Sequence, residues 1–210
     1  MECMEIATIA LQLEIAANHG SRTLDFSDDL RNYAQFFNRV VDYLHDPDLE
    51  KVALTSTFES RRSHIEWIMS FSEHVLFKVP LVPPEYLSPM LLIIHEAVSN
   101  AVYHGNLCVP DEIRASKTFH EYEEELAAAH PELLSQQATI KLLLFRDHGD
   151  LTITDSGKGF NYQLQLDRDH PPSPESEMGR GIYILKQTAD EIRFQDNGKT
   201  LRVRKNWRQT

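Results

Sequence analysis

Leu91–Asn106 reads LLIIHEAVSNAVYHGN, and how this stretch is read decides the fold. Leu91, Ile94, Val98 and Ala101 recur at helical spacing, so one side of a helix here can face a core. Glu96 and Asn100 stand four residues apart and therefore stack on one polar flank of that helix. An acid and an amide in fixed register on a rigid element can take a proton and ligate a hard cation. The same pair also suits the solvated side of an ordinary amphipathic helix, so its meaning depends on the rest of the chain.

Outward from that stretch, the spacing predicts a long helix over Glu85–Asn106 that closes at Gly105. Before it, Arg61–Val79 reads as a helix with Ile65, Ile68, Met69, Val75 and Leu76 inward, broken by Pro80, Pro83 and Pro84. Lys51–Ser60 alternates enough for an edge strand. His64 sits in a Ser-His-x-Glu run similar to the phosphoacceptor segment of sensor histidine kinases. The proline and basic residue that should follow are missing, so His64 reads as an ordinary helical histidine. Residues 5–26 alternate around Asn18-His19-Gly20 as a hairpin, and an amphipathic helix follows through LRNYAQFFNRVVDYLH to Asp46-Pro47. Residues 1–50 thus form a ββα extension with no catalytic spacing, suited to packing or dimerisation. Residues 51–210 form the main domain.

On the other side, Cys108–Gln137 is acidic and carries EYEEELAAAH, a solvated helix ending at Pro131. Thr139–Phe145 and Asp150–Asp155 read as antiparallel strands turned by Asp147-His148-Gly149. From Phe160 to about residue 178 apolar residues are few and Pro171, Pro172 and Pro174 cluster, the pattern of a long functional lid. Met178–Asp190 turns helical after Gly179-Arg180-Gly181, and Glu191–Phe194 and Thr200–Lys205 form a final hairpin across Asn197-Gly198.

Composition narrows the class. With 41% hydrophobic and 25% charged residues, the chain reads as a globular protein. Its 32 acidic against 21 basic residues give a net charge of -11. That argues against direct nucleic-acid or anionic-membrane binding, although Arg202, Arg204, Lys205 and Arg208 leave a basic local patch. Cys3 and Cys108 sit in no paired motif, so neither a disulfide framework nor a cysteine zinc site is expected. The first residues lack the basic start of a signal peptide, and no run is apolar enough to span a bilayer. A reducing cytoplasm is the expected setting.

Two glycine motifs remain, Asp155-Ser156-Gly157-Lys158-Gly159-Phe160 after a strand and Gly179-Arg180-Gly181-Ile182 before a helix. Glycines admit a ligand close to the backbone, and a helix start favours phosphate. A strand-end carboxylate such as Asp155 can accept a hydrogen bond from an exocyclic amine, as adenine offers. Other nucleotide motifs fail. Gly198-Lys199-Thr200 lacks the earlier P-loop glycine, since position 193 is Arg193, and Gly179-Arg180-Gly181 lacks the third dinucleotide glycine, since position 184 is Ile184. His95-Glu96 opens like a zinc-protease HExxH, but position 99 is Ser99.

The ordered set Glu-x-x-x-Asn, Asp-x-Gly-x-Gly-Phe and Gly-x-Gly resembles the GHKL (Bergerat) ATP-binding superfamily. Within it the chain is similar to the anti-sigma-factor serine kinases of bacterial partner-switching systems, over roughly Val52–Trp207. The HGN after the asparagine, the acidic insert and the tail RGIYILKQTADEIRFQDNGKTLRVRK belong to the likeness. The resemblance implies an α+β two-layer sandwich, a mixed, mostly antiparallel sheet covered on one face by helices. It implies ATP and Mg²⁺ as cofactors, with Asn100 holding the metal and Glu96 acting as general base. Asp155 would bind the adenine amine, with Gly157, Gly159 and Phe160 giving access to the base. Gly179, Arg180, Gly181 and Ile182 would line the triphosphate, and His104 would face it or simply end the helix. Many superfamily members carry Gly-Thr before the last strand; here Lys199 follows Gly198 and Thr200 is displaced by one. The implied partners are a STAS-type anti-sigma-factor antagonist carrying the substrate serine and a sigma factor; a second copy of the chain is expected only through the extension of residues 1–50. Two alternatives stay open: a nucleotide-gated interaction module without transfer activity, and a detached histidine-kinase catalytic domain.

Overall fold

A computed structural model describes residues 10–17, 20–25, 44, 46, 48–109, 119–167 and 180–207 of the 210. Among these, seven strands form one sheet. They are β1 Ala10–Ala17, β2 Gly20–Asp25, β3 Leu49–Glu59, β4 Gln137–Phe145, β5 His148–Asp155, β6 Glu191–Gln195 and β7 Thr200–Asn206. The order is β2-β1-β3-β4-β5-β7-β6, and every pairing is antiparallel. Alternation explains how the sheet buries one side. Leu13, Leu54, Leu142, Leu151 and Val203 are cross-strand neighbours in consecutive register, and all are buried. The opposite face carries Lys141, Thr152 and Arg202 in matching register.

The helices supply the second layer. Helix α1, Arg62–Lys78, and helix α2, Pro84–Ser99, place Ile68, Phe71, Val75, Ile93, Ile94 and Val98 in the same core cluster as the strand residues. Pro84 at the first helical position of α2 already has the backbone angle a helix needs and lacks only an N–H that would be unpaired there. Helices α3, Phe119–Ala129, and α4, Pro131–Leu134, precede β4; α5, Gln163–Leu166, and α6, Arg180–Thr188, precede β6. The molecule is an α+β fold, as the sequence reading expects.

Several expectations change in detail. Lys51–Ser60 is not an edge strand: β3 pairs with β1 on one side and β4 on the other. Its second partner comes from the N-terminal hairpin, whose Leu11, Leu13 and Ile15 enter the common core. The helix expected after that hairpin lies outside the described residues apart from Leu44, which is buried. Most of the expected lid, from residue 168 onward, also lies outside them. Strand β5 starts at His148, whose ring stacks on Phe145 at 4.6 Å, so the turn falls one residue earlier than expected.

The central helix is not uniform. From Asn100 to Asn106 it widens into a π-helical turn, closed by the Leu107 N–H donating to the Val102 carbonyl at 2.9 Å. Such widened turns are rare and concentrate at functional sites.

Candidate functional site

Three parts of the chain converge beside the π-helical turn. Residues Leu151, Ile153 and Asp155 share the helix-facing side of β5, the first two buried in the core. Asp155 is the last of the series, so its carboxylate emerges at the sheet margin rather than in the interior. It lies against Gly105: a Cβ built on Gly105 would fall 2.5 Å from Asp155 Cγ and 2.8 Å from both carboxylate oxygens. Only a hydrogen at that position leaves room for the acid. The Gly157 N–H donates to Asp155 Oδ1 at 2.8 Å, and Gly157 itself presses on the Gly105 carbonyl oxygen.

Burial raises the Asp155 carboxyl above its ordinary range, opposed by the Gly157 N–H bond and the positive charge of Lys199. A desolvated carboxylate of this kind is a strong acceptor for a donor that arrives with a ligand.

The second part is the polar flank of α2. A Cβ on Gly181 would fall 2.7 Å from Glu96 Oε2, 3.0 Å from Asn100 Oδ1 and 3.2 Å from Asn100 Nδ2. The acid and the amide therefore meet at the first turn of α6, where backbone N–H groups favour anions. The Asn100 Nδ2 is buried and has no hydrogen-bond partner among the described residues. Turning the amide over exchanges its two ends and places an oxygen there. That is an oxygen donor suited to Mg²⁺, and the unmatched buried atom fits a ligand that completes the site. Among the described residues no three His, Cys, Asp or Glu side chains gather as a metal group. Asn100 would thus hold the ion with oxygens brought by the ligand, and the ion would supply charge neutralisation.

The third part is the rim. Gly159 has φ +76 and packs on the Asn197 carbonyl, while the Phe160 N–H donates to the same carbonyl at 3.0 Å. The segment leaving β5 is thereby joined to the β6–β7 turn. Phe160, Tyr162 and Phe194 form an aromatic group, with Tyr162 and Phe194 stacked at 5.0 Å and Phe160 edge-on to Phe194 at 5.6 Å. A Lys186 Nζ donation to the Leu166 carbonyl at 2.6 Å ties α5 to α6.

Between these parts lies a small, solvent-open cleft. Asn100, His104, Asp155, Phe160 and Lys199 line it, with Ala97, Ile153 and Leu201 as its apolar floor. It joins an apolar bed, aromatic edges, one carboxylate and one amide, the make-up of a small-molecule site.

The residues expected from the sequence distribute as follows. Asn100, His104, Asp155, Gly159 and Phe160 line the cleft. Glu96 and Gly181 adjoin Asn100, and Gly157 backs Asp155. Arg180 is exposed at the start of α6. Ile182 is buried and does not line the cleft, because α6 turns it inward beside Leu185. Gly179 lies outside the described residues. Thr200 pairs with Thr154 and so points to the face opposite Asp155. Its hydroxyl donates to Asp196 Oδ2 at 2.8 Å and lies 3.1 Å from the Thr154 hydroxyl. Lys199 takes the place on the cleft side. Phe194 and Lys199 were not anticipated as site residues. The one available signal was their strand alternation with Leu201 and Ile192, which requires the register to be known first.

His64 is buried, and its Nδ1 accepts the Glu59 N–H at 3.3 Å. An imidazole so enclosed is not placed to receive a phosphoryl group, in keeping with its reading as an ordinary helical histidine. Among the described residues no helix is long and apolar enough to cross a membrane.

Comparison with protein families matches residues 58–205 to the histidine kinase-like ATPase domain. Comparison with curated proteins finds no match.

Proposed function

Since the chain belongs to the histidine kinase-like ATPase domain family and so binds ATP, we propose that it is a regulatory serine/threonine protein kinase of the anti-sigma-factor type. Its substrate would be a STAS-type antagonist protein, and it would sequester a sigma factor when not acting on that antagonist. The observation that carries this reading is the meeting of Glu96 and Asn100 at Gly181. A module that only binds nucleotide has no use for a carboxylate at the phosphate end.

In this reading Asp155 accepts the adenine amine and the floor of Ile153 and Leu201 takes the base. Phe160 and Phe194 shield its edges, and the opening turn of α6 with Arg180 holds the phosphates. Asn100 would hold Mg²⁺, which neutralises phosphate charge when bound. Glu96 takes the proton from the attacking hydroxyl as its oxygen bonds to the γ-phosphorus and ADP leaves. Catalysis here is mainly positioning and charge neutralisation.

The test is incubation of the chain with γ-labelled ATP, Mg²⁺ and a STAS-type antagonist, followed by mass spectrometry. Phosphate on serine or threonine that is lost in Glu96→Gln supports the proposal. Phosphate on histidine favours the histidine-kinase alternative. Absence of phosphoprotein, with partner affinity changed by saturating ATP, favours the nucleotide-gated module.

A further inference from the structure

Asn106 ends the π-helical turn, is 2% exposed and does not line the cleft. Both ends of its amide are engaged. Its Oδ1 accepts the Ser156 N–H at 2.8 Å, and its Nδ2 donates to Ser60 Oγ at 2.8 Å. Ser60 Oγ donates in turn to the Gln136 carbonyl at 2.9 Å, and Ser156 Oγ donates to the Gln137 carbonyl at 2.8 Å. One buried side chain thus joins the end of β3 and the start of β4 to the residue directly after Asp155.

We propose that Asn106 is a positioning residue for base recognition, setting the depth at which Asp155 meets the exocyclic amine of adenine. The proposal rests on the nucleotide reading above and adds a residue that touches no part of the nucleotide. In the segment Asp155-Ser156-Gly157, the Asp155 N–H is held by the Lys199 carbonyl at 3.0 Å and the Gly157 N–H by Asp155 itself, while the Ser156 N–H between them is held by Asn106. A Cβ on Gly157 would collide with the Gly105 carbonyl, and a Cβ on Gly105 would collide with the Asp155 carboxylate. The latch at Asn106 and the seat at Gly105 are consecutive residues, so a shift of Ser156 moves the carboxylate relative to that seat. A buried amide with both ends bonded is well suited to such a role, because its geometry admits one arrangement.

The experiment is calorimetric titration of ADP and GDP into the wild type, Asn106→Ala and Ser60→Ala, with thermal melts of each. Truncation that removes a buried bond and strands its partner is expected to weaken ADP about tenfold. GDP, which carries a carbonyl oxygen where adenine has its 6-amino group, should change less, so the preference for ADP shrinks. Ser60→Ala keeps the Asn106–Ser156 bond and is expected to lower the melting temperature while holding the ADP-to-GDP ratio. Equal ratios in the wild type and a folded Asn106→Ala overturn the positioning role, as does an equal fall of the ratio in both variants. If Asn106→Ala does not fold, Asn106→Asp retains an acceptor for Ser156 and is expected to keep the preference; its loss there also overturns the role. A wild type that binds no ADP overturns the nucleotide reading instead, which separates the two failures.

Discussion

Gly105→Ala places one methyl group against the Asp155 carboxylate, the group proposed to recognise the base. The new Cβ would stand 2.5 Å from Asp155 Cγ and 2.8 Å from each oxygen, where ordinary carbon contacts lie at about 3.5–4.0 Å. Asp155 must rotate away, which breaks its 2.8 Å bond from the Gly157 N–H and withdraws the acceptor from the cleft. A hydrogen bond to a charged acceptor contributes about 1.5–3 kcal/mol, so ATP affinity should fall roughly ten- to hundredfold. Stability should move less. Gly105 is not among the glycines with positive φ, and alanine is favoured over glycine in a helix by about 1 kcal/mol. That gain offsets part of the lost Gly157 bond to the same carboxylate, itself worth about 1.5–3 kcal/mol, so the net loss of stability stays below the loss in binding. Calorimetric titration of ATP beside a thermal melt reads both quantities. A double-mutant cycle adds a control, since in an Asp155→Ala background the methyl meets no carboxylate and should cause little further loss. ATP affinity within twofold of the wild type, in a protein carrying the alanine, would refute the packing argument.

Other consequences follow from the same geometry. Because burial raises the Asp155 carboxyl above its ordinary value, the folded state holds that proton to higher pH than the unfolded chain. Stability contributed by this group therefore falls as pH rises from the ordinary carboxylate range through the raised one, and Asp155→Asn should flatten that part of the stability profile. ADP binding should weaken as pH falls through the raised value; Lys199→Met removes a charge that favours the carboxylate and should move this acid limb upward. Glu96→Gln should keep ATP affinity within a few-fold and lower phosphoryl transfer about 10²–10⁴-fold, as single-turnover assays would read. Trp207→Ala should destabilise by about 3–5 kcal/mol in a denaturant melt, since the ring is 5% exposed, packs on Tyr86 and Gly149, and donates from Nε1 to the Phe145 carbonyl at 3.0 Å.

The parts of this site legible in the sequence are those set by local spacing. Glu96 and Asn100 share a flank because a helix places residues four apart together, and they do meet one neighbour, Gly181. Asp155 stands out because a carboxylate ends an alternating strand just before glycines. What depends on distant partners was not legible. Lys51–Ser60 alternates as an edge strand would, and only the pairing with β1, supplied from far upstream, makes it internal. The π-helical turn leaves no mark, because Ile94, Val98 and Ala101 continue the apolar series across its start. Thr200 and Lys199 differ by one residue, and in a strand that single step exchanges the two faces. Ile182 follows the glycine motif in sequence but turns to the core, since only part of a helix can face a ligand.

The most direct measurement is calorimetric titration of ATP, with and without Mg²⁺, into the wild type and Asn100→Ala. Convergence of the α2 flank, Asp155 and the glycine rim on one nucleotide predicts tight, Mg²⁺-dependent binding to the wild type. It also predicts weaker binding to Asn100→Ala that no longer responds to the ion. Equal Mg²⁺ dependence in the two proteins, or no heat of ATP binding in either, would contradict it.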